Sequence, residues 1–244
     1  MSELDRYRIA DTEIGIISPY EAHRKYCSQY SSRSDCTPEL IIEITEKEIQ
    51  NEFQYYTQDT TAEYASLSLI FRKLCEYIIT KGGFVLHSAV VEYSGLAYAF
   101  VAPSGTGKST HIKNWRKLLA DKVDIVNGDK PIIIFKDGKY FACGTPWAGK
   151  EGWHRNVCVP LGGVCRVYRD DKNSICKADA FEFAEMIMGA TLIPQDPSLL
   201  MTLLDTIDSF TQKIPAYKLY CTADISSATV SFEKMTGHKL TEIL

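Results

Sequence analysis

The sequence predicts an α/β protein, a mixed sheet flanked by helices around a phosphate-binding loop, with a small β-rich part in front. Two observations carry this expectation. An apolar strand, a glycine loop, an amphipathic helix and another strand follow one another from about Leu96 to Val126, which is the context a phosphate loop requires. Elsewhere in the 244 residues, short β-type runs alternate with segments whose apolar residues recur at three- and four-residue steps.

Taken in order, residues 1–60 read as a small β-rich N-terminal region and residues 61–244 as the catalytic domain. From Tyr7 to Ile44 apolar pieces such as YRIADTEIGI and LIIEI alternate with polar turns, and YCSQYSSRSDCTP reads as a loop. Tyr64, Leu67, Phe71, Leu74 and Ile78 then share one helical face, and Lys81-Gly82-Gly83 ends that helix. FVLHSAVVEYSGLAYAFVAPSG reads as two strands around Glu92 to Gly95, the second running straight into the glycine loop. Ile112, Trp115 and Leu119 mark the helix beyond the loop, and VDIV the next strand.

PIIIFKDGKYFACG reads as a hairpin, because Asp137-Gly138 between β-type runs is a strong two-residue turn signal. WAGKEGW (Trp147 to Trp153) reads as a loop and VCRVY as a strand. Helices are expected from Phe181 to Gly189 and from Ser198 to Lys213, the latter with Leu199, Leu203, Ile207 and Phe210 on one face, followed by a strand from Ala216 to Cys221.

Composition excludes several functions. With 27 basic and 31 acidic residues, a formal charge of -4 and no basic block, nucleic acid is a poor partner. No stretch approaches the ~18 uninterrupted apolar residues of a membrane span, and the first residues show no cleavable leader, so a cytoplasmic protein is expected. The eight cysteines are scattered without a CxxC pair, several inside apolar segments. Buried reduced thiols are expected rather than a disulfide framework or a zinc site.

The chemistry centres on APSGTGKST. Pro103, Ser104, Gly105, Thr106, Gly107, Lys108, Ser109 and Thr110 form a loop whose backbone N–H groups can face phosphate oxygens above a helix N-terminus. Gly105 and Gly107 let the backbone curl, Lys108 is placed for the β- and γ-phosphates, and Ser109 for a magnesium ion. Ala102 stands where the usual pattern has its first glycine, which the strand-to-loop turn tolerates.

Phosphoryl transfer also needs metal ligands, cations and a group to orient the attacking oxygen. Asp129, after the strand VDIV, suits magnesium or a substrate proton; His87 interrupts an apolar run; Lys150 and Glu151 lie in WAGKEGW. Each also has a plain structural reading: a turn aspartate, a core histidine, a solvated ion pair.

In the order LHSAV, PSGTGKS and NGD, the chain resembles the superfamily shared by HPr kinase/phosphorylase and phosphoenolpyruvate carboxykinase, from about Phe84 to Tyr168. With NGDKP and GTPWAGKEGW added, it is similar to a group of uncharacterised HPr-kinase-like bacterial proteins. The resemblance implies an HPr kinase/carboxykinase-like fold and an ATP- and Mg2+-dependent serine kinase acting on a peptide or small protein, with a small-molecule hydroxyl as the variant acceptor. It places Asp129 at the metal-associated position; on a kinase reading Ser109 joins it at the metal, Lys150 meets developing charge, and His87 or Glu151 meets the acceptor.

The chain departs from the family at the acidic pair, where Gly128 replaces the first aspartate, the expected base. Phosphorylase activity is not implied, since Val159 to Gly163 is only the nearest segment to that signature loop. A catalytically impaired ATP-sensing module is therefore the alternative, with a carboxykinase-type lyase third. The sequence leaves the oligomeric state open, a homo-oligomer included, and the absence of NKxD tilts the nucleotide towards adenine.

Overall fold

The computed structural model describes residues 4–56 and 59–243. The first elements form a three-stranded sheet: β1 (Asp5–Ile9) runs antiparallel to β2 (Thr12–Ile17), and after helix α1 (Ala22–Tyr26) the chain returns as β3 (Leu40–Glu43), parallel to β2. Ile9, Ile14, Ile16 and Ile42 are buried under this sheet. The segment expected as a loop includes the end of α1 and a single 3-10 turn, Ser28–Tyr30, because Tyr30 is fully buried and pulls the chain inward.

Helix α2 (Glu46–Glu52) begins at a capping box in which Thr45 and Glu48 satisfy each other's backbone N–H groups. Helix α3 (Ala62–Thr80) follows and ends at Lys81-Gly82, as the sequence predicts. Phe71, Leu74 and Ile78 are buried, but Tyr64, expected on the same face, is 56% exposed. The core that holds α3 runs continuously from Ile9 and Ile14 of the small sheet to Val85, Ile132 and Trp147. Helix α3 is therefore the element shared by both sheets.

The larger sheet contains β4 (Phe84–Val85), β5 (Ser88–Tyr93) and β6 (Leu96–Val101), then, after helix α4 (Lys108–Leu119), β7 (Val123–Asn127), β8 (Ile132–Lys136) and β9 (Lys139–Cys143). Strands β10 (Cys158–Arg169) and β11 (Ser174–Lys177), helices α5 (Ala180–Met188) and α6 (Pro197–Lys213), strand β12 (Ala216–Cys221) and helix α7 (Ser226–Thr236) complete it. Among the described residues the sheet has nine strands in the order β4-β8-β9-β10-β6-β5-β7, with β12 beside β10 and β11 outside β12. It is mixed: β10 runs parallel to β6 and β12, and antiparallel to β9.

Three findings differ from the sequence-based expectations. The apolar run FVLHSAVV is two strands, since β4 pairs with β8 while β5 pairs with β6 and β7, and the chain changes partners at Leu86-His87. Strand β10 is longer than VCRVY and takes in Val159 to Gly163, with an irregularity between Leu161 and Gly163. Cys143 and Cys158 are not thiols: they face each other across the β9–β10 pair and form a disulfide. The other six are free, four of them buried.

Strand β11 and helix α7 carry little sequence signal. The first is four mostly exposed residues, and the second buries Ser227, Ala228 and Ser231 beside Phe232, so its apolar period is faint. No described helix is long and apolar enough to cross a membrane.

Candidate functional site

Antiparallel pairing brings together three motifs that the sequence holds apart. Strand β5 runs against both β6 and β7, so its N-terminal end lies beside their C-terminal ends: Ser88 pairs with Val101, and Val90 with Asn127. His87 precedes β5, the glycine loop follows β6, and Asp129 follows β7. A direct bond fastens the junction, the Ser88 N–H donating to the Asp129 carbonyl at 3.0 Å.

The glycine loop connects β6 to α4 as expected. Gly105 and Gly107 have φ of +77° and +128°, backbone that a side chain would strain, and added Cβ atoms there would meet nothing within 4 Å. The concavity of the loop is open. The Lys108 ammonium folds back to donate to the Ala102 carbonyl at 2.6 Å and is buried. Burial pushes its pKa down, and the charge of Asp129 opposes that shift.

Arg169, at the end of β10, donates to the carbonyls of Thr106 and Gly105 from the other side. Beside it Tyr168 stacks on Tyr220 at 5.0 Å between ring centres, and the Arg166 guanidinium lies 5.2 Å from the Tyr168 ring. Tyr168 and Arg169 line two clefts of about 300 and 350 Å³ against the loop, and Arg166 lines the second. Sequence reading missed them, because parallel pairing of β10 with β6 is what carries them to the loop and no local motif announces it.

On the other side, His87 Nε2 lies 3.0 Å from Asp129 Oδ1. Burial raises the Asp129 carboxyl, but the His87 hydrogen bond and charge, with the charges of Lys130 and Lys108, outweigh it and hold the group below its usual range. Asp129 is a carboxylate at neutral pH. Its backbone is set by buried Asn127, whose Oδ1 accepts from the N–H groups of Asp129 and Lys130 at 2.8 Å each, and whose amide donates to the Thr145 carbonyl.

Gly128 is covered by the loop between β9 and β10. Its N–H donates to the Trp153 carbonyl at 2.9 Å, and the Lys130 N–H donates to the Trp147 carbonyl at 3.1 Å. A Cβ at residue 128 would lie 3.0 Å from the Ala148 carbonyl oxygen and 3.5 Å from that of Trp153. The space a side chain would take at this position is filled by backbone of the WAGKEGW segment.

That same segment separates Lys150 from Glu151. Glu151 pairs with Lys113 of α4 at 2.9 Å, and Lys113 also lies 4.9 Å from the Trp153 ring centre. Lys150 instead lines a cavity of about 680 Å³, together with His87, Asp129 and Lys130. Tyr26, Tyr64, Phe71 and Trp147 form much of its wall. The indole N–H of Trp147 is buried without an acceptor among the described residues.

The structure thus places His87, Asp129 and Lys150 at one cavity, with Lys130 added and Glu151 turned to α4. Among the described residues no three His, Cys, Asp or Glu side chains group as a metal cluster. Ser109, in the first turn of α4, and Asp129, after β7, carry a hydroxyl and a carboxylate, the donor types that suit a hard ion such as Mg2+.

No family model matches the chain, and no curated protein matches it. Among solved structures, it is similar to the Hpr(Ser) kinase/phosphatase from Coxiella burnetii, with a TM-score of 0.29 and 11% identity over 53% of this chain and 90% of that one.

Proposed function

We propose that the chain is an ATP-dependent phosphotransferase that moves the γ-phosphate onto a hydroxyl, whether a serine of a peptide or small protein or the hydroxyl of a small molecule. The observation that carries this reading is the ionised Asp129, hydrogen-bonded to His87 on the cavity side and within electrostatic reach of Lys108 on the loop side. One carboxylate faces both an open glycine loop and a cavity.

In this reading the N–H groups of residues 104 to 108 bind phosphate oxygens, and Lys108 exchanges its bond to the Ala102 carbonyl for the phosphates. Ser109 and Asp129 would hold Mg2+, which would supply neutralisation of the phosphate charge. Lys150 meets the charge that develops during transfer. The acceptor oxygen forms a bond to the γ-phosphorus as the bond to ADP breaks, and the hydroxyl proton passes to His87. Asp129 orients the imidazole and stabilises its cationic form, the role a carboxylate plays beside a histidine base. A loose transfer needs modest base assistance, so Gly128 is compatible with turnover.

Gly128 also favours the second reading, an ATP-sensing module without catalysis. Calorimetry with Mg-ATP and single-turnover transfer from γ-labelled ATP to the small-molecule and macromolecular fractions of a cell extract separate the two. The expected result is ATP binding that Lys108→Ala weakens about a hundredfold, the scale of one or two charged hydrogen bonds, and a labelled product that Asp129→Asn abolishes. ATP affinity that survives Lys108→Ala would refute the site assignment. Tight binding with no labelled product in either fraction selects the sensing module.

A further inference from the structure

The cavity beside His87 is built for a particular kind of acceptor. Its volume, about 680 Å³, lies within the roughly 300–1,000 Å³ typical of small-molecule sites and exceeds what one serine side chain occupies. Its walls come from α1, α3, the His87 junction, the Asp129 turn, the WAGKEGW loop and the residues after α5. Tyr26, Tyr64, Phe71 and Trp147 offer flat apolar surface, and Phe71 and Trp147 lie against each other at 4.6 Å between ring centres.

The charges in this cavity do not balance. Arg72, at its edge, is committed to buried Glu52 through bonds of 3.0 and 2.5 Å. Lys130 and Lys150 have no carboxylate or hydrogen-bond partner for their ammonium groups among the described residues; Lys130 lies 5.3 Å from the Phe71 ring centre, a cation resting on an aromatic face. Among the described residues Asp129 is the one carboxylate in the lining, and it is bonded to His87. With the Asp129 carboxylate already bonded to His87, two ammonium groups without a hydrogen-bonded partner leave this aromatic cavity an excess of positive charge, which suits an anion.

We infer that the acceptor is a small hydroxy acid: a molecule carrying a carboxylate or phosphate that Lys130 holds, an apolar body against the aromatic wall, and a hydroxyl directed to the His87–Asp129 pair. This rests on the kinase reading for what happens at the hydroxyl, but the recognition of the anion does not. The volume argues for a free small molecule over one serine side chain of a folded protein, and the cations argue against a neutral sugar or alcohol.

The test uses a panel of hydroxy carboxylates and hydroxyalkyl phosphates, each paired with its uncharged amide or ester, in calorimetry and thermal-shift measurements with the whole protein, with and without Mg-ADP. At least one acid is expected to bind and its uncharged twin to bind at least about tenfold more weakly, the scale of one charged hydrogen bond. Lys130→Met should remove that preference and Lys130→Arg should retain it, which separates loss of charge from misfolding. Carboxylates and phosphates compared within the panel identify the source of the anion. Uncharged twins that bind as well as the acids, or acids that bind equally to Lys130→Met, overturn the inference. If Mg-ADP itself does not bind, the kinase reading fails while the anion result stands or falls by itself.

Discussion

The glycine loop and the loop between β9 and β10 both bear on Asp129, yet they are held in opposite ways. The first is contiguous in sequence, shaped by its own torsions at Gly105 and Gly107, and has open space where a side chain at either glycine would lie. The second is shaped by what it touches: its backbone carbonyls receive the N–H groups of Gly128 and Lys130, and a disulfide between Cys143 and Cys158 joins the strands that flank it. The loop proposed to receive a ligand is built from local conformational freedom, whereas the loop that fixes a carboxylate is built from close packing.

The packed loop should break first. A Cβ at Gly144 would lie 1.9 Å from the Arg155 carbonyl oxygen and 2.8 Å from that of Val126, both backbone. Gly144→Ala is expected to cost more than about 3 kcal/mol, as overpacking against groups that cannot move aside does, and to be measured by chemical denaturation. A variant with wild-type stability would show that this loop is not packed as described.

A smaller effect tests the anchoring of the glycine-loop helix. His111 of α4 is buried between Ser231 and Ser227 of α7, and burial pushes its pKa down to about 4. The folded state therefore binds fewer protons than the unfolded chain from about pH 6.5 down to about pH 4, and stability falls with pH across that window. The loss approaches about 3 kcal/mol at its lower end. Denaturation midpoints measured from pH 7 to pH 4 should show this slope, and His111→Gln should flatten it. An unchanged slope in the variant would assign the pH dependence to other groups.

The smallest expected effect is at Gly128, where a methyl needs the Ala148 carbonyl to yield by a few tenths of an ångström. Gly128→Ala is expected to lower the melting temperature by about 2–4 °C, the shift that about 1 kcal/mol gives in a chain of this size. Nucleotide affinity should not change. Equal losses of stability and nucleotide affinity would mean that the two loops are one unit, and the contrast drawn above would fail.

Much of the fold was legible because its signals are local. Helices α3, α4 and α6, the β5–β6 turn and the β8–β9 turn follow from apolar spacing and from Ser94-Gly95 and Asp137-Gly138, which take positive φ as two-residue hairpins require. Helix α7 was not, since serines fill much of its buried face and are satisfied there by His111 and Trp115. The Cys143–Cys158 bridge was not, since a register between strands of different hairpins decides it.

The site divides in the same way. Residues 103 to 110 could be proposed from sequence, because a phosphate loop needs consecutive N–H groups and its determinants are therefore consecutive residues. His87, Asp129 and Lys150 could be suspected as residue types, but their convergence required β5 to run antiparallel to β6 and β7. Lys130, Arg169 and the aromatic wall carry no motif. What fills the position of the missing side chain at Gly128 was also beyond the sequence: it is the backbone of a loop some twenty residues further along, and contact between distant segments is fixed only when the sheet closes their separation.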